Sequence, residues 1–173
     1  ANDNASGIAT MLETIRTLKQ QGFRPKRTLL FAAWIGGERQ RPVDYARYVR
    51  AHPHFADAYT VVAGLALEGV GAGTGSSAVL QHATSERLTE YLQRAARQVR
   101  TPLSTNALGL HADAQLYPAP SADVASTTIS WAGADELAHA AMDTPEAIDR
   151  DKLGQVGRMV SLAVMLLASD PAY

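Results

Sequence analysis

Residues 28–35, Thr-Leu-Leu-Phe-Ala-Ala-Trp-Ile, form a nearly unbroken apolar run of strand length. A strand with one wet face alternates polar and apolar residues. This run does not, so it fits a strand covered on both faces, which requires helices above and below the sheet. A helix is predicted just upstream, over residues 6–21. There Ile8, Met11, Leu12, Ile15 and Leu18 recur at helical spacing, Ser6 or Asn4 is placed to cap the start, and Gly22 supplies a stop.

The rest of the chain repeats the alternation. A short helix is expected over 42–51, with Pro42 in its first turn, and a second buried strand over 59–67. A glycine-rich loop follows over 69–77, then a short strand over 79–82. A helix over 85–99 presents Leu88, Leu92, Ala95 and Val99 on one face. Residues 101–123 read as irregular. A Thr- and Ser-rich strand spans 124–131, and Asp149 caps a last helix ending near Ser169, with Leu153, Val156, Val160, Val164 and Leu167 inward. Strands alternating with helices give an α/β layered domain, and 173 residues without repeats suit a single domain over 1–173.

Composition narrows the chemistry. A net charge of −1 gives no footprint for nucleic acid or an anionic membrane, and no apolar run is long enough to span a bilayer. The absence of cysteine excludes disulfides and thiolate metal sites. Carboxylates and histidines remain. Asp3 stands just ahead of a helix and Glu38 at the end of the 28–35 strand, positions suited to a hard or borderline metal. Other polar groups read as structural. The loop over 69–75 has no following Lys-Ser or Lys-Thr, so it is no phosphate cradle. His52 and His54 flank Pro53 on a surface loop. Arg94, Arg97 and Arg100 form a solvated helix face, and His111-Ala112-Asp113 is read as a loop.

Four motifs, in order, carry a resemblance. Ala1-Asn2-Asp3-Asn4-Ala5-Ser6-Gly7 is similar to an Asp-x-x-Ser-Gly turn ahead of a helix. Arg24-Pro25-Lys26-Arg27-Thr28 leads into the strand at Phe31-Ala32-Ala33-Trp34. Leu67-Glu68-Gly69-Val70-Gly71 is similar to a Leu-Asp-Met-Val-Gly strand end. His139-Ala140-Ala141-Met142-Asp143-Thr144-Pro145-Glu146 is similar to a His-Thr-Pro-x-Asp-Thr segment before a last helix. Together they resemble the zinc-dependent exopeptidases typified by bacterial leucine aminopeptidases and glutamate carboxypeptidase. The transferrin receptor ectodomain carries a degenerate copy of that domain.

The resemblance implies a three-layer α/β/α fold around a central mixed, mostly parallel sheet, here lacking its N-terminal strands as a fragment of a larger chain. It implies that Asp3 bridges two zinc ions, that Glu38 and His139 bind one of them, and that Glu68 stands where the family has an Asp on the other. Asp143 and Thr144 are expected to steer the His139 loop from outside the metal's ligands. Three departures matter. Gly37 occupies the position of the general-base Glu, and the Gly-Leu-x-Gly-Ser run that follows it in the family is replaced by Arg39-Gln40-Arg41-Pro42-Val43. The family's His-x-Asp motif is missing ahead of Ala1. Glu68 extends its carboxylate about 1.5 Å beyond an Asp.

The expectation is therefore a metallopeptidase-like domain, built to hydrolyse a terminal peptide bond but with activity reduced or lost. The alternative is a non-catalytic descendant that binds a protein or forms a dimer. The residues Asp3, Glu38 and His139 suffice for one zinc with a position left for water. A peptide or peptide-like ligand is the implied partner, with an upstream segment or partner chain completing the sheet. The resemblance slightly favours an exported or extracytoplasmic location.

Overall fold

The structure, a computed structural model, describes residues 1–33, 52, 54, 58–105 and 124–173. The first helix, α1 (Gly7–Gln20), forms where the sequence places it, with Leu18 of the apolar stripe buried and Ile8, Met11 and Ile15 half-buried. Gly7, Thr10, Thr14 and Leu18 are buried, whereas Leu12 is 57% exposed. The small residues allow α1 to approach the last helix closely, and the Ser161 hydroxyl from that helix donates to Thr14 Oγ1 at 3.3 Å. Apolar spacing marked a stripe; the small residues Gly7, Thr10 and Thr14 beside it are the ones buried with Leu18.

The doubly buried strand expected over 28–35 does not form over its described part. Residues 28–33 carry no strand assignment, and Leu30 is 55% exposed. Apolar content favours a strand only when a neighbour takes up the backbone N–H and C=O groups. No strand does so here among the described residues. The second expected strand shortens for the same reason to β1 (Ala63–Leu67), half-buried rather than buried, with β4 its only partner among the described strands. The helix expected over 42–51 lies outside the described residues.

Further along, the sequence reading holds more closely. The elements are β2 (Ala78–Gln81), α2 (Glu86–Val99), β3 (Leu103–Thr105), β4 (Ala125–Trp131) and α3 (Arg150–Ser169). β3 is a correction, since it forms at the start of a stretch read as irregular and pairs parallel to β2. The strand order is β1-β4-β2-β3. β1 runs parallel to β4 in the register Ala63↔Ala125 to Leu67↔Ile129, and β4 runs antiparallel to β2. The sheet is thus mixed, with parallel pairing in two of its three ladders.

β4 is buried from Ser126 to Trp131, although it is rich in hydroxyls. Two of those hydroxyls bond to Gln81 of β2: Thr127 Oγ1 donates to the Gln81 carbonyl at 2.9 Å, and Gln81 Nε2 donates to Ser130 Oγ at 2.9 Å. The helices start on local caps. The Ser85 hydroxyl accepts from Leu88 N at the head of α2, and the Asp149 carboxylate accepts from Asp151 N and Lys152 N at the head of α3. The core lies between these helices and the sheet, with Leu88 and Leu92 of α2, Val156 and Met159 of α3, Leu80 of β2 and Ile129 of β4 fully buried. Among the described residues, no helix is long and apolar enough to cross a membrane.

Candidate metal centre

β1 and β4 run parallel, so their C-terminal ends lie side by side, at Leu67 and Trp131. Loops leaving the carboxyl ends of parallel strands are the usual place for a site in an open α/β sheet. Glu68 is the first residue beyond β1, half-buried, with its N–H donating to the Ile129 carbonyl of β4 at 2.9 Å. The segment leaving β4 carries His139 and Asp143. The opening turn of the chain, Asn2–Ser6, packs against both.

That turn is held by side chains at every second position. Asn2 Nδ2 donates to the Ala72 carbonyl at 3.2 Å, and Asn2 Oδ1 accepts from Gly71 N at 2.9 Å. Asn4 Nδ2 donates to the Leu67 carbonyl at 2.7 Å, and Asn4 Oδ1 accepts from Gly7 N and Gly69 N. Ser6 Oγ donates to the Asn2 carbonyl at 2.6 Å and accepts from Val70 N at 3.0 Å. The start of α1 is therefore capped by Asn4, while Ser6 is spent on the neighbouring loop. The backbone at Asp3 (φ −104°, ψ 101°) and Asn4 (φ −127°, ψ 39°) is non-helical, so the chain turns before α1 begins.

Two glycines make this close approach possible. A Cβ at Gly7 would lie 2.3 Å from the Leu67 carbonyl oxygen. Gly69 has φ +58°, and a Cβ there would lie 2.9 Å from Ala134 Cβ. The glycine-rich loop thus serves packing. Its far end is clamped by Lys152 of α3, whose Nζ donates to the Gly73 carbonyl at 2.6 Å and sits 5.5 Å from the centre of the Trp131 ring.

Between Asn2 and Asn4, the Asp3 side chain turns toward the other segment. His139 Nε2 lies 3.9 Å from Asp3 Oδ2, with the imidazole 60% and the carboxylate 26% exposed. His139 sits in the left-handed region, at φ +58°. That conformation costs a side-chain-bearing residue energy and tends to be kept at functional positions. Asp143 ties this segment to the turn. Its carboxylate accepts from the N–H groups of Asn2 and Asp3, the latter at 3.0 Å. Thr144 bonds through its side chain to Glu146, whose carboxyl this holds below the usual value.

The Asp3–His139 pair suits zinc. Tetrahedral ligands about 2.0–2.1 Å from the ion stand about 3.3–3.4 Å apart. The observed 3.9 Å requires a closing of a few tenths of an ångström, within reach of an exposed imidazole. Among the described residues, no group of three or more His, Asp, Glu or Cys side chains comes together to hold a metal, so Glu68 does not join this pair. Glu38 and Gly37 lie outside the described residues. The sequence reading offered Asn4 as a helix cap, which it is, but missed the bonds that Asn2, Asn4 and Ser6 make to the loop over 67–72.

The chain matches the model of peptidase family M28 over residues 1–164. No curated protein matches the sequence. Solved structures do. BSAP, a zinc aminopeptidase from Bacillus subtilis, is similar with a TM-score of 0.72 and 22% identity, covering 98% of this chain and 42% of that one. The LapA aminopeptidase of Legionella pneumophila gives a TM-score of 0.77 at 15% identity, covering 98% and 47%. A TET aminopeptidase from a marine sediment archaeon of the Thaumarchaeota gives 0.62 at 19% identity, covering 95% and 47%. This chain therefore spans less than half the length of these solved relatives.

Proposed function

Because this chain belongs to peptidase family M28, a zinc exopeptidase family, we propose that its metallopeptidase-like domain holds zinc on Asp3, Glu38 and His139 and receives the end of a peptide beside them. The observation that carries this reading is the 3.9 Å approach of Asp3 and His139, brought together from opposite ends of the chain. By the same resemblance Glu68, at the lip of the same sheet edge, is the residue of this chain assigned to a second ion. When bound, zinc polarises a peptide carbonyl and lowers the pKa of water.

The chain's own residues supply the frame for that chemistry. Asp143 accepts from the Asp3 N–H and so ties down the backbone that carries the Asp3 carboxylate. Asn2, Asn4 and Ser6 hold the turn against the Glu68 loop. The resemblance puts the proton acceptor at position 37. Gly37 has no side chain to take up the proton released in hydrolysis, and such help is typically worth about 10²–10⁴ in rate. The proposal is therefore a peptidase site of reduced activity. Gly37 also favours a second reading, a domain that binds peptide or protein without cutting it.

Release of aminoacyl-anilide and dipeptide substrates by the zinc-loaded protein tests the proposal. Slow turnover is expected, and Gly37→Glu should raise it about 10²-fold or more. A wild-type rate already fast and indifferent to Gly37→Glu refutes the role given to this position. No turnover in either protein, with peptide binding retained, selects the second reading.

A further inference from the structure

One carboxamide stands at the junction of the two acidic segments. Asn4 directly follows Asp3 in the chain. Its Nδ2 donates to the carbonyl of Leu67, the residue before Glu68, at 2.7 Å. Its Oδ1 accepts from the N–H of Gly69, the residue after Glu68, at 3.3 Å. The same oxygen accepts from Gly7 N at 3.2 Å, at the first turn of α1. A single planar group thus grips both peptide neighbours of Glu68 and the start of the helix that follows Asp3.

From this we infer that Asn4 is a positioning residue that holds the backbone of the Asp3 turn against the Glu68 loop and so tunes zinc binding at Asp3. The inference deepens the zinc reading above and rests on it. The chemistry singles out asparagine. A donor and an acceptor on one short side chain are both needed, because Leu67 offers a carbonyl and Gly69 an N–H. Serine offers a donor and an acceptor on one oxygen but lacks the reach of the carboxamide, and alanine offers neither. Gly7 is part of the same device, since a Cβ there would lie 2.5 Å from Asn4 Oδ1. Asn2 repeats the pattern farther along the loop, at Gly71 and Ala72, where it anchors the turn without touching either neighbour of Glu68. Supporting groups of this kind, one bond away from the ligands, commonly tune a metal site as strongly as they tune the fold.

The test is zinc affinity, measured by competition with a chromogenic chelator on the intact protein, together with the visible spectrum after cobalt substitution and the thermal midpoint of the metal-free form. Four proteins are compared: wild type, Asn4→Ala, Asn4→Ser and Ser85→Ala. The last removes the α2 cap, far from the site in the chain, and controls for loss of stability. Asn4→Ala is expected to weaken zinc binding about 10–100-fold and to shift the cobalt spectrum, with Asn4→Ser intermediate and Ser85→Ala unchanged in affinity. If Asn4→Ala does not fold, Asn4→Ser decides. Asn4 variants that melt earlier but bind zinc within about twofold of wild type overturn the positioning role alone. A wild type that binds no zinc overturns both the site reading and this inference.

Discussion

Replacing Ser6 with alanine probes the joint between the opening turn and the Glu68 loop. Ser6 is 4% exposed and Val70 fully buried. In the wild type the Ser6 hydroxyl accepts the Val70 N–H at 3.0 Å and donates to the Asn2 carbonyl at 2.6 Å. Alanine leaves the Val70 donor without that acceptor in a place water does not reach. An orphaned buried donor costs about 1–3 kcal/mol, and the lost bond to Asn2 about 1 kcal/mol more. The expected loss is near 3 kcal/mol. For a domain of this size each kcal/mol lowers the melting temperature by about 2–4 °C, so a fall of about 6–12 °C is expected. Urea unfolding followed by circular dichroism gives the free energy, and hydrogen exchange should show the Val70 amide losing protection. Ser169→Ala, at an exposed position, serves as control and should stay within about 0.5 kcal/mol of wild type. A Ser6→Ala protein as stable as that control would refute the reasoning.

Two leucines separate the observed packing from the expected one. Leu88→Ala, in the fully buried core, should cost about 2–5 kcal/mol in urea unfolding, while Leu12→Ala, on the open face of α1, should cost less than about 0.5 kcal/mol. Equal losses would restore the face read from apolar spacing. Near the C-terminus, Asp170 is held below its usual pKa, first by the hydrogen bond from Tyr91, then by the Ala172 N–H, with Arg87 adding a smaller pull against burial. A depressed carboxylate contributes stability above its unfolded pKa of about 3.9 and loses it as pH falls through the folded value. Asp170→Asn should therefore be less stable than wild type at neutral pH, and the two curves should converge on acidification; a constant gap would contradict the assignment.

The parts of this fold that were legible in the sequence are those set locally. Ser85 and Asp149 cap their helices through residues two or three positions away, so a short window of sequence contains the whole interaction. β4 was found within a residue for a similar reason, since its β-branched content fits strand geometry, and β2 also falls within a residue of the expected span. Strand partners are not local. Residues 28–33 have the composition of a buried strand and no described neighbour to make them one, and β1 is trimmed for the same cause. β3 was missed because three residues carry too little pattern. At the site, Asp3 and His139 were legible only through motif order, since nothing in either segment alone says that they meet. The hydrogen bonds of Asn2, Asn4 and Ser6 reach across more than sixty residues, beyond any pattern read along the chain.

The account turns on zinc held between the first turn of the chain and the segment before its last helix. Chelator competition on the intact protein, wild type against Asp3→Asn and His139→Gln, measures that directly. Each variant is predicted to lose affinity by at least about 100-fold, more than the loss from removing a supporting hydrogen bond. Zinc bound equally well by all three proteins would contradict it.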